Sequence, residues 1–161
     1  MRGIAGLLLA VILVAPSPAP AQEKPTAKDS AAIQKCIKTK TGRKWAWEQC
    51  IGIISEPCAK HEESMTPRQV IDCETREQAV WDDILNESYW RLQGALDEDQ
   101  KGKLREMQRA WITYRDKNCA FLYDYFQGTM ASPMIAACTS RATGMQALNL
   151  LGFANDAGDR K

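Results

Sequence analysis

The chain has 161 residues with 21 basic and 20 acidic side chains, long enough for one compact domain. Its near-neutral balance carries no basic stripe and argues against nucleic acid as a partner. It equally gives no strong electrostatic steering towards a charged protein.

Residues 1–21 read as a secretory signal peptide. Arg2 supplies the positive charge, Ile4 to Ala15 is an uncharged apolar run, and Ala19-Pro20-Ala21 forms a small-residue cleavage site. The apolar run is shorter than the ~20 residues that a spanning helix needs, so no membrane insertion is expected after cleavage. Removal of this segment deletes one basic group, Arg2, and leaves 20 basic against 20 acidic residues. The expected location is periplasmic or secreted. Six cysteines follow: Cys36, Cys50, Cys58, Cys73, Cys119 and Cys138. An even number in an exported chain points to disulfides. Metal binding is disfavoured because no C-x2-C pair exists and His61 is the only histidine. No metal or cofactor is expected.

Residues 22–28 are polar and read as flexible. A helix is expected from Asp29 to Thr41, broken by Gly42, and a second short helix within 43–54. Trp45 and Trp47 are two apart and share no helical face, which suggests one core and one interface tryptophan. Residues 55–64, with His61 among charges, read as a loop. Thr66-Pro67-Arg68-Gln69 then combines an N-cap, a proline at the first helical position and a capping box. Its helix should run to about Leu96, with Trp81, Leu85, Ser88, Tyr89, Leu92 and Leu96 on one side. Asp97 to Gln100 repeats the capping logic, and the next helix runs to about Phe126. After a turn, Ser132-Pro133 caps a third helix bearing Ile135, Cys138, Ala142, Met145 and Leu148, ended by Gly152. Residues 153–161 read as a flexible tail. The expected fold is all-α, a small disulfide-bonded bundle of antiparallel helices.

One residue of the second long helix is out of place. With Leu104 at zero and about 100° per residue, Trp111 falls near 340°, Cys119 near 60° and Arg115 near 20°. Arginine is rarely buried without a partner. If the two long helices pack as an antiparallel hairpin turning near residue 98, Asp82 comes within a turn of Arg115, with Asn86 and Gln108 nearby. Asp82 is therefore the expected partner of a buried Arg115, and Asp83 points outward. Cys119 can reach Cys73 or Cys138, with Cys73 preferred. Cys36 and Cys50 flank the Gly42 break and suit each other.

Asp82, Leu85, Asn86 and Tyr89 form D-x-x-L-N-x-x-Y, and Gln108, Trp111, Tyr114, Arg115, Asp116 and Cys119 form Q-x-x-W-x-x-Y-R-D-x-x-C. The pair resembles the family named for the N-terminal domain of the lysozyme inhibitor LprI, over residues 58–152. The resemblance implies a small, helical, exported, disulfide-bonded domain whose characterised namesake inhibits lysozyme. Residues 22–57, with Cys36 and Cys50, are an N-terminal helical extension to that domain. The namesake is a lipoprotein, whereas no cysteine stands at the cleavage site here.

An enzyme is not expected. No Ser/His/Asp order is evident, and the pairs Asp72/Glu74 and Asp82/Asp83 are of a kind that helix surfaces carry routinely. The expected function is a binding module with lysozyme or another envelope protein as partner. For an inhibitor, the turn bearing Gly128, Thr129 and Met130 is the contact expected to enter an enzyme cleft. The alternative is a periplasmic envelope or stress protein with a scaffolding role and no lysozyme activity, using Trp45 and Trp47 as its patch.

Overall fold

The computed structural model describes residues 24–40, 46–60 and 65–159. Among them are the helices α1 (Ala27–Thr39), α2 (Ser55–Lys60), α3 (Pro67–Ala95), α4 (Glu98–Phe126) and α5 (Ala131–Gly158), with a 3-10 turn at Trp47–Cys50. The fold is all-α. Residues 1–21, Gly42, Trp45 and His61 lie outside the described residues.

Local chemistry sets most helix starts. Thr66 and Asp97 cap α3 and α4 in reciprocal capping boxes with Gln69 and Gln100. Thr26 does the same for α1 with Asp29, so that helix begins two residues before the expected Asp29. Ser132 does not cap α5: the helix starts at Ala131, and Met130 precedes it without a side-chain cap. At the other end α5 continues past Gly152 to Gly158, with Ala154 and Ala157 buried. The expected flexible tail is thus helical over residues 153–158, because those alanines have a core to enter.

The three long helices do not form the expected α3–α4 hairpin. Glu74 lies beside Ser140, Trp81 against Gly144, and Arg91 donates to Asn155 at 3.0 Å. Residue numbers rise together along these contacts, so α3 and α5 run parallel. Gln146 donates to Gln108 at 2.8 Å and Cys119 is bonded to Cys138, so α4 runs antiparallel to α5. No extended contact joins α3 to α4. The central helix is α5, and it buries two faces. Its α3 side is built of small residues: Ser140, Thr143, Gly144, Ala147 and Ala154 are buried. A Cβ at Gly144 would stand 3.1 Å from Ile51 and 3.3 Å from Trp81, so this close approach depends on glycine. The expected stripe of Ile135, Cys138, Ala142 and Met145 lies off this main face, half-buried or exposed.

Residues of the N-terminal segment share the same core. Ile33, Cys50 and Ile54 pack in one cluster with Val80, Trp81, Leu85 and Leu150. Asp29, buried, receives Arg76 through bonds of 2.9 and 2.8 Å. The fully buried Glu77 reaches the strandless loop before α2. Its carboxylate accepts the N–H groups of Gly52 (2.6 Å), Ile54 (3.0 Å) and Ser55 (2.8 Å), and the Trp81 indole N–H (2.9 Å). A helix leaves its first N–H groups unsatisfied, and here a side chain from α3 satisfies those at the start of α2. This is why residues 55–60 are helical where a loop is expected from composition.

All six cysteines are bonded, as Cys36–Cys50, Cys58–Cys73 and Cys119–Cys138. The preferred Cys73–Cys119 pairing is wrong, because it requires α3 and α4 to pack together. Among the described residues no helix is long and apolar enough to cross a membrane.

Candidate binding surface

Arg115 is not paired with Asp82. Asp82 is exposed and accepts Asn86 Nδ2 at 3.2 Å on its own helix. Arg115 is half-buried where the α4 stripe leads one to expect a buried residue, and its guanidinium binds the adjacent Asp116 at 2.8 Å and stacks 4.9 Å from the Trp111 ring centroid. A cation over an indole face is a favourable contact, so the group is satisfied without a carboxylate from another helix. Tyr89 is half-buried and accepts Gln93 Nε2 at 3.0 Å. Of the motif residues, Gln108 and Trp111 face α5, while Asp82 and Asn86 pair on the exposed side of α3.

The end of α4 has a different character. Phe121, Tyr123, Tyr125 and Phe126 fall near 260°, 100°, 300° and 40° on the wheel used above. One neighbouring helix covers only part of that circle, so four aromatics in six residues cannot all be buried by α5. They are 60, 59, 69 and 44 % exposed, and Met130 in the following turn is 60 % exposed. The rings support one another: Phe121 and Tyr125 lie 6.1 Å apart between centroids, and Tyr125 meets Phe126 edge-on at 4.9 Å. Exposed aromatic clusters of this kind mark interaction surfaces.

The turn completes this tip. Gly128 has φ 76°, the left-handed conformation that glycine adopts at little cost, and a Cβ there would meet nothing within 4 Å. Gln127 has φ 51° and ψ 156°, a region that only glycine visits readily. The strain is held by the two helices and by Cys119–Cys138, which lies about two helical turns from the tip on each side. Gly128, Thr129 and Met130 therefore sit at the apex of a stapled hairpin, with the aromatic residues forming its shaft. The turn itself is expected from the sequence; the aromatic shaft is not, although the wheel positions of residues 121–126 hold the signal.

A second feature lies on the side of α5. Trp47, Trp111, Gln146, Asn149, Gly152, Phe153 and Asp156 are among the residues lining a cleft of about 680 Å³. The indole N–H of Trp47 is buried without a hydrogen-bond partner. Trp47 is thus a wall of this cleft, half-buried, and not an open surface patch.

The model of the family described as lysozyme inhibitor LprI matches residues 58–150, more than half of the chain. The chain belongs to the LprI family. No curated protein and no solved structure gives a match. The LprI match spans α3, α4 and α5 as far as residue 150, so it contains the whole stapled tip, two of the three disulfides and Glu77. The segment before Cys58 lies outside the match but supplies Ile33, Cys50 and Ile54 to the core.

Proposed function

We propose that this protein is an exported binding module that inhibits lysozyme by inserting the α4–α5 tip into the enzyme's substrate cleft. The observation that carries this reading is the tip itself: exposed aromatic rings beside a glycine turn, on a disulfide-stapled hairpin. Membership of a family described as lysozyme inhibitors supports the choice of partner. Inhibition on this reading is occlusion and needs no catalytic group, so the protein is not an enzyme. Glycoside hydrolases of this type bind sugar in a groove around two carboxyl groups. A tip of rings and small polar residues can fill such a groove, with Thr129 able to hydrogen-bond to groups that otherwise hold substrate.

Rigidity matters as much as contact area. A strained turn fixed before binding loses little conformational entropy on docking, which improves affinity without new contacts. A few buried aromatic anchors typically carry most of an interface's energy. The test is an inhibition assay with the oxidised protein and a variant in which Thr129 and Met130 are replaced, with thermal stability measured beside it. The proposal expects a folded variant with weakened inhibition. Full inhibition by that variant would exclude the apex, and no inhibition by the unmodified protein would remove the function.

A further inference from the structure

We propose that the cleft between the 3-10 turn, α4 and α5 is a binding site for an organic cation, of the alkylguanidinium or alkylammonium class. Its volume of about 680 Å³ is in the usual range for small-ligand sites. Three aromatic side chains, Trp47, Trp111 and Phe153, form walls, and Glu48 brings a carboxylate. No lysine or arginine is among the lining residues. Glu48 is half-buried and has no ion-pair partner among the described residues. A carboxylate beside aromatic faces favours a cation, because both the charge and the ring quadrupoles attract it. The protein already makes this contact once, since Arg115 stacks on Trp111.

Gly152 provides room. A Cβ at this position would only just touch the Trp47 ring, at 4.0 Å, so the helix tolerates a side chain here and a longer one would fill the cleft. The buried N–H of Trp47 has no hydrogen-bond partner, so the ring is held by packing. The site is separate from the tip, so it stands whether or not lysozyme is inhibited.

The same cation can arrive as a small free molecule or as an arginine side chain of a protein. The experiment follows the indole N–H signals of Trp47 and Trp111 by NMR on the oxidised full protein. Butylguanidinium, N-acetyl-argininamide and its neutral isostere N-acetyl-citrullinamide are titrated separately. Saturable shifts are expected with both cations, and binding of the citrulline compound should be roughly tenfold weaker or worse. Equal affinity for the two cations assigns the site to a free small molecule. Tighter binding of the argininamide assigns it to a residue within a chain. Glu48→Gln should weaken the cation severalfold, and Gly152→Leu, which fills the cleft while keeping the helix, should abolish the shifts. Equal binding of the citrulline compound, displacement by a neutral acetamido sugar, or shifts unchanged in Gly152→Leu would overturn the assignment.

Discussion

Replacing Glu77 with alanine removes one carboxylate and orphans four donors. Three are backbone N–H groups at residues 52, 54 and 55, and the fourth is the Trp81 indole, all within 2.6–3.0 Å of the carboxylate. An unsatisfied buried donor costs about 1–3 kcal/mol, but water entering the vacated space restores part of this. The net loss expected is therefore about 3–5 kcal/mol, the upper part of the range for single substitutions. Against a total stability of about 5–15 kcal/mol, that lowers the melting temperature by roughly 10–20 °C. Glu77→Gln keeps one acceptor oxygen but turns an NH2 group towards two donors, so it should fall between wild type and alanine. Urea unfolding at neutral pH, monitored by circular dichroism, measures both variants. The unfolding should also free the α2 region first, seen as faster hydrogen exchange at residues 52–58. A Glu77→Ala protein within about 0.5 kcal/mol of wild type would refute the claim that this carboxylate holds the N-terminal segment.

Asp29→Asn tests the second anchor of that segment. The Arg76 guanidinium, helped by the Thr26 donors and opposed by burial, holds the Asp29 carboxyl at about 2, below its ordinary 3.8. A depressed carboxyl stabilises the fold above its unfolded value and loses that contribution as pH falls towards the folded one. The variant should be about 2 kcal/mol less stable at pH 7, with the difference from wild type shrinking below pH ~4. Glu74 behaves in the opposite sense. Burial, with the nearby Glu77 and Glu56 charges, raises its carboxyl above 4.5 despite hydrogen bonds with Ser140 and Ser55. Its ionisation thus destabilises the fold at neutral pH, and Glu74→Gln should raise the melting temperature at pH 7 but not in acid. Gln127→Gly relieves a backbone conformation costing about 1–3 kcal/mol and should stabilise the protein by roughly 1 kcal/mol after the added chain entropy, as read by thermal unfolding.

The helix class and the starts of α3 and α4 were legible because their capping boxes are local: each needs only four consecutive residues. The wheel places Arg115 on the inner stripe of α4, but the residue is half-buried where a buried one is expected. Its partner was not legible, because short links suggest neighbours and α5 lies between the helices so linked. The same assumption misplaced Cys73 and Cys119. A partly buried arginine–carboxylate pair does exist, but it joins Arg76 to Asp29, 47 residues away, and no local spacing announces that. Helix α2 was missed for a related reason, since the group satisfying its first N–H groups is the distant Glu77. The Thr26–Asp29 box is equally local, and it starts α1 two residues before the expected Asp29. At the tip, glycine and the polar turn residues were found by turn chemistry. The aromatic shaft needed the further step of asking which azimuths a single neighbour can cover.

The central claim is that the stapled tip blocks lysozyme, and the inhibition constant of Phe121→Ala/Tyr125→Ala against that of the unmodified oxidised protein tests it most directly. Both rings are more than half exposed, so their removal should leave thermal stability nearly unchanged. Loss of two anchors of about 1.5 kcal/mol each corresponds to roughly 100-fold weaker inhibition. Gly152→Leu, which alters only the cleft, should inhibit as the unmodified protein does. Equal inhibition by the double variant and the unmodified protein would contradict the account.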